Sequence, residues 1–101
     1  MEQQQTSSKT STRYRIKQPI QYDVIIHNDD YTTMDFVVMI LESIFNKTPN
    51  EATQIMLFVH EHGKAVAGTY IYDIAHSKAD KAMALARAEG FPLQLSVNQK
   101  I

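Results

Sequence analysis

The chain reads as a small α+β sandwich: a three-stranded antiparallel sheet with three helices on one side, in the order β-α-α-β-α-β. Three features carry this reading. Apolar and polar residues alternate with period two near both ends of the patterned region, over residues 22–27 and 93–98. Apolar residues recur at helical spacing in between. Turn and stop residues separate the segments, namely Asn28-Asp29-Asp30, Thr48-Pro49, Gly63 and Gly90-Phe91-Pro92.

Each element has its own local cause. Tyr22, Val24 and Ile26 alternate with Asp23, Ile25 and His27, which predicts a half-buried strand. After the Asn28-Asp29-Asp30 turn, Thr32 stands three residues before Asp35. Thr32 is the expected cap of a first helix, with Asp35 complementing its dipole. Phe36, Val37, Ile40, Leu41, Ile44 and Phe45 form its apolar stripe, so it is expected to run to about Phe45. The second helix has a stronger start, with Thr48 capping, Pro49 in the first helical position and Glu51 reaching back. Ala52, Ile55, Met56 and Val59 share one face, and Gly63 ends it. Residues 64–70 read as the second strand. The third helix is expected from near Tyr72 to Glu89, rich in alanine (75, 79, 82, 84, 86 and 88) and therefore able to pack closely where it meets the sheet. Gly90 and Pro92 stop it. Leu93, Leu95 and Val97 alternate with Gln94, Ser96 and Asn98 in a last strand with one buried face.

Residues 1–12 are Gln-, Ser- and Thr-rich with almost nothing to bury, and disorder is expected there. They lack the apolar core of a secretory signal. The expected organisation is a flexible extension over 1–20 and one folded domain over 21–101. Charge divides the same way. Residues 1–20 carry Lys9, Arg13, Arg15 and Lys17 against Glu2, whereas the stretch 21–46 holds five acids and no Lys or Arg. The net charge of −1 lacks the basic excess of a nucleic-acid binder. An acidic surface favours a cationic ligand over a phosphate, although a merely solvated face would look the same. No apolar run is long enough to span a membrane. The absence of cysteine excludes disulfides, thiolate metal sites and a cysteine nucleophile, and fits a reducing compartment.

Few residues suggest catalysis. His60 with Asp29 or Asp30, and Ser43 or Thr32 as nucleophile, is the enzyme arrangement available. No nucleophile elbow accompanies it, and Ser or Thr beside acids are usually caps. A metal reading would join His27, Asp29, Asp30 and His60. However, His60 and His62 stand at i and i+2, on different helix faces, where helical zinc spacing needs i and i+4. The three glycines are scattered and form no phosphate cradle. What remains is a binding constellation. Asn28, Asp29 and Asp30 lead into the first helix, Met34 and Val37 follow within two turns, and Met56, Val59 and His60 share a side of the second helix. An acidic rim would thus meet a Met-rich apolar hollow. Taken singly, each part also fits a plain turn or a core position.

The block from Val24 to Val37, VIIHNDDYTTMDFV, resembles the signature of the ClpS family, as does the block from Ala52 to His60, ATQIMLFVH, followed by Gly63-Lys64-Ala65. The order and spacing of the blocks are similar too, and the likeness extends over about residues 20–98. ClpS proteins are adaptors rather than enzymes, working without a cofactor or metal. A compact domain with a polar surface is expected to be a monomer, and the resemblance implies a cytoplasmic protein that recognises N-degrons (proteins beginning with Leu, Phe, Tyr or Trp). It would deliver them to a Clp AAA+ unfoldase, ClpA or ClpC, for degradation by ClpP. By the same resemblance, Asn28, Asp29 and His60 would hold the free α-amine, and Asp30 and Thr32 the peptide backbone. Met34, Val37, Met56, Val59 and Leu93 would line the side-chain pocket, with Met34 as the gate against β-branched first residues. Asp73 and Lys78 would dock the unfoldase, and the extension 1–20 would assist delivery. Thr33 stands where many members carry Pro. Ile71 replaces a frequent Thr before the third helix, which costs a cap. The alternative is a module that docks on the unfoldase and modulates the protease without binding peptides itself.

Overall fold

The computed structural model describes residues 19–101. The expectation of a flexible extension falls almost wholly on residues 1–18, outside that range. Six elements follow in the expected order: β1 (Gln21–His27), α1 (Met34–Ser43), α2 (Pro49–His62), β2 (Lys64–Ile71), α3 (Tyr72–Ala88) and β3 (Gln94–Gln99). The strands form one open antiparallel sheet in the order β2-β1-β3, with the first strand in the middle. The α+β architecture read from the sequence is the one observed.

The alternation in β1 does what its period requires. Val24 and Ile26 are fully buried on the inner face. On the other face, Thr69 donates its hydroxyl proton to Asp23 (2.6 Å), and the His27 ring pairs with the Ser96 hydroxyl (2.8 Å). Against β2 the register slips between Val24 and Ile25, which pair with Gly68 and Val66, leaving Ala67 as the extra residue of a bulge. Gly68 leaves room for Tyr70, which folds back over it: a Cβ there would fall within 2.7 Å of ring carbons, so the ring would have to shift.

The helices close the core from one side. Phe36, Val37, Ile40 and Leu41 are the buried stripe of α1, and Ala52 and Val59 that of α2. On α3 the buried alanines are 75, 79, 82 and 86, at helical spacing, and this helix touches all three strands. Alanines 84 and 88 face outward.

The ends of the elements show where local rules compete. The Thr48 and Glu51 capping box of α2 forms on both sides, and Gly63 ends that helix in the left-handed conformation (φ 91°). α1 departs from expectation. Its cap is Thr33, whose hydroxyl accepts from the Phe36 N–H (3.2 Å), and not Thr32, whose hydroxyl and N–H are both taken by Asp29. α1 also ends at Ser43, before Phe45. The start of α3 at Ile71 has no side-chain cap, in keeping with a β-branched apolar residue in a polar position.

Candidate functional site

The site lies where β1 runs out. The Asn28 N–H donates to the Gly63 carbonyl (2.8 Å), which joins the loop after β1 to the end of α2. That single bond brings Asn28 beside the helix that carries His60. Asp29 then shapes the loop. Its Oδ1 accepts from the N–H groups of Tyr31 (2.8 Å) and Thr32 (2.7 Å), and its Oδ2 from the Thr32 hydroxyl (2.8 Å). This is the Asx-type turn that Asp favours, and it hands the chain to Thr33 and α1.

Between this loop, the first turns of α1 and the second half of α2 lies a cavity of about 390 Å³, within the range of small-ligand pockets (about 300–1,000 Å³). Its lining joins polar residues, Asn28, Asp29, Asp30, Thr32 and His60, with apolar ones, Met34, Val37, Met56 and Val59. Tyr31 and Thr33 also line it, and sequence reasoning did not single them out. The available signal was a large aromatic set inside a turn cluster: Tyr31 is 76% exposed, where a ring of that size usually finds cover. Leu93 stands apart from this lining. It precedes β3 and is only 1% exposed, packed in the core. Its carbonyl accepts from Arg87 (2.7 Å).

The charge of the polar lining is set by the loop. Partial burial pushes the Asp29 carboxyl up, but the Thr32 and Tyr31 N–H groups, the Thr32 hydroxyl and the charge of Arg87 outweigh it and hold the group below its ordinary value. Asp29 is therefore anionic at neutral pH. Three of its roughly four lone-pair sites are occupied by the loop, leaving capacity on Oδ2. Asn28 contributes an amide oxygen and His60 an imidazole nitrogen, both on exposed residues. The arrangement can accept several hydrogen bonds from one cationic donor while an apolar group enters between Met34, Val37, Met56 and Val59.

Of the residues of the catalytic reading, Asp29, Asp30, Thr32 and His60 line this one cavity and Ser43 does not. Thr32 gives its proton to Asp29, and Ser43, at the far end of α1, donates to the Met39 carbonyl. His27, which the metal reading needs, pairs with Ser96 and does not line the cavity. Among the described residues no group of three or more His, Asp and Glu is placed to hold a metal ion.

Asp73 and Lys78 both lie on α3, five residues apart and so about 140° round the axis. Asp73 is exposed in the first turn. The Lys78 ammonium is half-buried, donates to the carbonyl of Ile44, the C-cap of α1, and sits 5.2 Å from the centre of the Tyr70 ring. α1 has no basic residue in its own last turn, so Lys78 supplies from another helix the cation that a helix C-terminus favours.

Residues 17–96 match the model of the family described as ATP-dependent Clp protease adaptor protein ClpS. This chain belongs to the ClpS family. It is 46% identical over 87 residues to the ATP-dependent Clp protease adapter protein ClpS of Clostridium acetobutylicum, covering 86% of each chain. Against that of Acetivibrio thermocellus it is 51% identical over 90 residues, 89% of this chain and 91% of the relative. Among solved structures, Agrobacterium tumefaciens ClpS2 bound to L-phenylalaninamide superposes with a TM-score of 0.79 at 34% identity, over 82% of this chain and all of that one. The ClpS family is one of Clp protease adaptors, and its members' fold is the one described above. Among the described residues no helix is long and apolar enough to cross a membrane.

Proposed function

We propose that this ClpS-family adaptor recognises N-degrons, polypeptides with a bulky hydrophobic first residue and a free α-amine. It hands them to a Clp AAA+ unfoldase, ClpA or ClpC, for degradation by ClpP. The observation that carries the reading is that one cavity is lined both by acceptors (Asn28, Asp29, His60) and by apolar side chains (Met34, Val37, Met56, Val59). An α-amine is mostly protonated at neutral pH, with a reference pKa of about 7.7–8.0. It offers three donors where an internal peptide nitrogen offers one, so a site built of acceptors separates a chain start from a chain interior. Asp30 and Thr32, next along the loop, meet the peptide backbone. The ligand of the Agrobacterium tumefaciens relative, L-phenylalaninamide, has this make-up: a free amine, a large apolar side chain and an amide beyond.

The magnitudes suit reversible capture. Hydrogen bonds to a charged group contribute about 1.5–3 kcal/mol each, and burial of a Leu or Phe side chain roughly 1.5–3 kcal/mol. Less the cost of ordering, these reach the ~8 kcal/mol of micromolar binding, and neither half suffices alone. Methionine walls adapt to aliphatic and aromatic guests, while a branch at the guest's Cβ is stiff and presses on Met34.

Delivery uses the other end of the molecule. β1 runs for seven residues, Gln21 to His27, which sets its ends about 20 Å apart. Gln21 pairs with Ile71, so the chain enters β1 beside the start of α3 and Asp73, at the opposite end of the strand from the cavity. A partner docked at Asp73 and Lys78 leaves the peptide end free. The protein acts in the cytoplasm as a monomer, without catalytic chemistry of its own. Titration with otherwise identical peptides beginning with each residue type tests the proposal. Leu, Phe, Tyr and Trp peptides should bind in the micromolar range or tighter and Ser or Glu peptides should not. Equal binding of all would refute it.

A further inference from the structure

Sulfur in this chain is confined to thioethers: the sequence holds five methionines and no cysteine. Two of them, Met34 and Met56, line the cavity together, among Val37 and Val59. Met34 is exposed at the start of α1, and Met56 is partly buried against the core. A cavity of about 390 Å³ admits molecules little larger than water, so a small peroxide reaches both sulfurs from solvent. Met39 is also exposed but lies outside the cavity lining, and Met83 packs against the core on α3. A thioether suits a hollow for varied guests because it is unbranched, apolar and adaptable. The same sulfur can take up one oxygen atom and become a polar sulfoxide, a change that is chemically reversible. The hollow is thus walled by the two side chains of this protein whose polarity oxidation would alter where a guest must sit.

We propose that Met34 and Met56 form a reversible oxidation site, at which a peroxide closes the hollow to bulky hydrophobic chain starts and a thiol-dependent reductase reopens it. The proposal rests on the N-degron reading of the cavity and deepens it with a means of regulation. In the forward step a sulfur lone pair attacks one oxygen of hydrogen peroxide. An S–O bond forms, the O–O bond breaks, and the proton of the transferred hydroxyl passes to the departing hydroxide, giving sulfoxide and water. The thioether loses two electrons and the peroxide gains them. In the return step two thiols supply two electrons and two protons, and the oxygen leaves as water while the thiols become a disulfide. A Leu or Phe side chain has no donor to offer the sulfoxide oxygen. When such a guest fills the hollow, that oxygen gives up its water and stays unpaired. Asn28, Asp29 and His60 are chemically unchanged, so the amine still has its acceptors while the side chain loses its place. The expected loss of affinity for a Phe-initiated peptide is about ten- to hundredfold.

The test treats the full chain with hydrogen peroxide and removes the excess. Mass spectrometry of its fragments then follows each methionine, and anisotropy reads the binding of a fluorescent Phe-initiated peptide free of methionine. Loss of binding should keep pace with oxidation of Met34 and Met56 and not with that of Met39 or Met83. Methionine sulfoxide reductases of both epimer specificities, with dithiothreitol, should restore it. Peptide bound during treatment should shield Met34 and Met56 and leave Met39 unshielded. Met39→Leu should keep the full loss, whereas a chain carrying both Met34→Leu and Met56→Leu should show no loss on treatment, whatever its starting affinity. Should that double variant fail to fold, the time course, the shielding and the restoration in the parent chain decide. Binding that survives full oxidation of Met34 and Met56 overturns the proposal. So does a loss that tracks Met39 or Met83, persists in the folded double variant or resists reduction. In each of those cases the untreated chain still binds, and the reading of the cavity stands. If the untreated chain binds no Phe-initiated peptide, the N-degron reading falls and the oxidation site with it.

Discussion

Replacing Asp29 by Asn separates the two tasks this carboxylate has in the structure. Its Oδ1 takes two backbone N–H groups of the loop and its Oδ2 takes the Thr32 hydroxyl. Asparagine keeps the Oδ1 acceptor and so the turn, and Thr32 can reverse its hydroxyl to accept from the new NH₂. What disappears is the charge and the free acceptor on Oδ2, and an incoming ammonium meets a donor instead. A hydrogen bond to a charged group contributes about 1.5–3 kcal/mol, so Asp29→Asn should weaken a Phe-initiated peptide roughly ten- to hundredfold while leaving the urea midpoint almost unchanged. Asp29→Ala should lose affinity and stability together. It deletes all three loop bonds, at about 0.5–1.5 kcal/mol each. The pH dependence has a definite sign. The native carboxyl lies below its ordinary value, so its contribution to stability is present above the unfolded pKa and is lost as pH falls through the folded one. The stability gap between the parent and Asp29→Ala should therefore be constant above pH about 4 and shrink below it. Anisotropy and urea denaturation on the same samples decide the matter. An Asn variant that binds within twofold of the parent would refute the amine role, and equal loss of stability in Asn and Ala would refute the division of labour between the two oxygens.

Other substitutions probe single features. Met34, 46% exposed at the start of α1, should exclude β-branched first residues by overpacking, which costs about 1–3 kcal/mol. Met34→Ala should narrow the gap between Ile- and Leu-initiated peptides by about tenfold, and an unchanged gap in competition binding would remove Met34 from the gate. Ile71, 42% exposed, caps α3 without a side-chain bond. Ile71→Thr should raise stability by about 1 kcal/mol in urea denaturation, and a loss would show that its apolar contacts outweigh the missing cap. Lys78→Met removes the ammonium from the Ile44 carbonyl and the Tyr70 ring. A loss of about 1–3 kcal/mol is expected, and no loss would mean that the ammonium stays in solvent.

The elements were legible because their causes are local. The Thr48, Pro49 and Glu51 start and the Gly63 stop of α2 act within one turn of chain, and the alternation in β1 and β3 needs only one buried face. Strand order, the Ala67 bulge and the position of Leu93 depend on partners far along the chain, which spacing does not encode. Thr32 is instructive. Its spacing to Asp35 points to Thr32 as the cap, yet the cap is its neighbour Thr33, because Asp29 takes the Thr32 hydroxyl. Likewise the family resemblance implies a docking role for Lys78, but does not show that its ammonium is spent on Ile44. In the site, the Asn28–Asp30 loop and the face of Met56, Val59 and His60 were recognisable from spacing and from the family likeness. The bond that joins them, Asn28 to Gly63, was not, and the exposed Tyr31 became notable only once its surroundings were seen.

The central claim is that a protonated chain start is held by Asn28, Asp29 and His60 while its side chain fills the hollow beside them. Isothermal titration with one Phe-initiated peptide in two forms, free and N-acetylated, tests it most directly. Acetylation leaves the side chain untouched and removes the charge and two of the three donors. The free peptide should bind at about micromolar strength and the acetylated one at least about a hundredfold more weakly; affinities within a fewfold of each other would contradict the account.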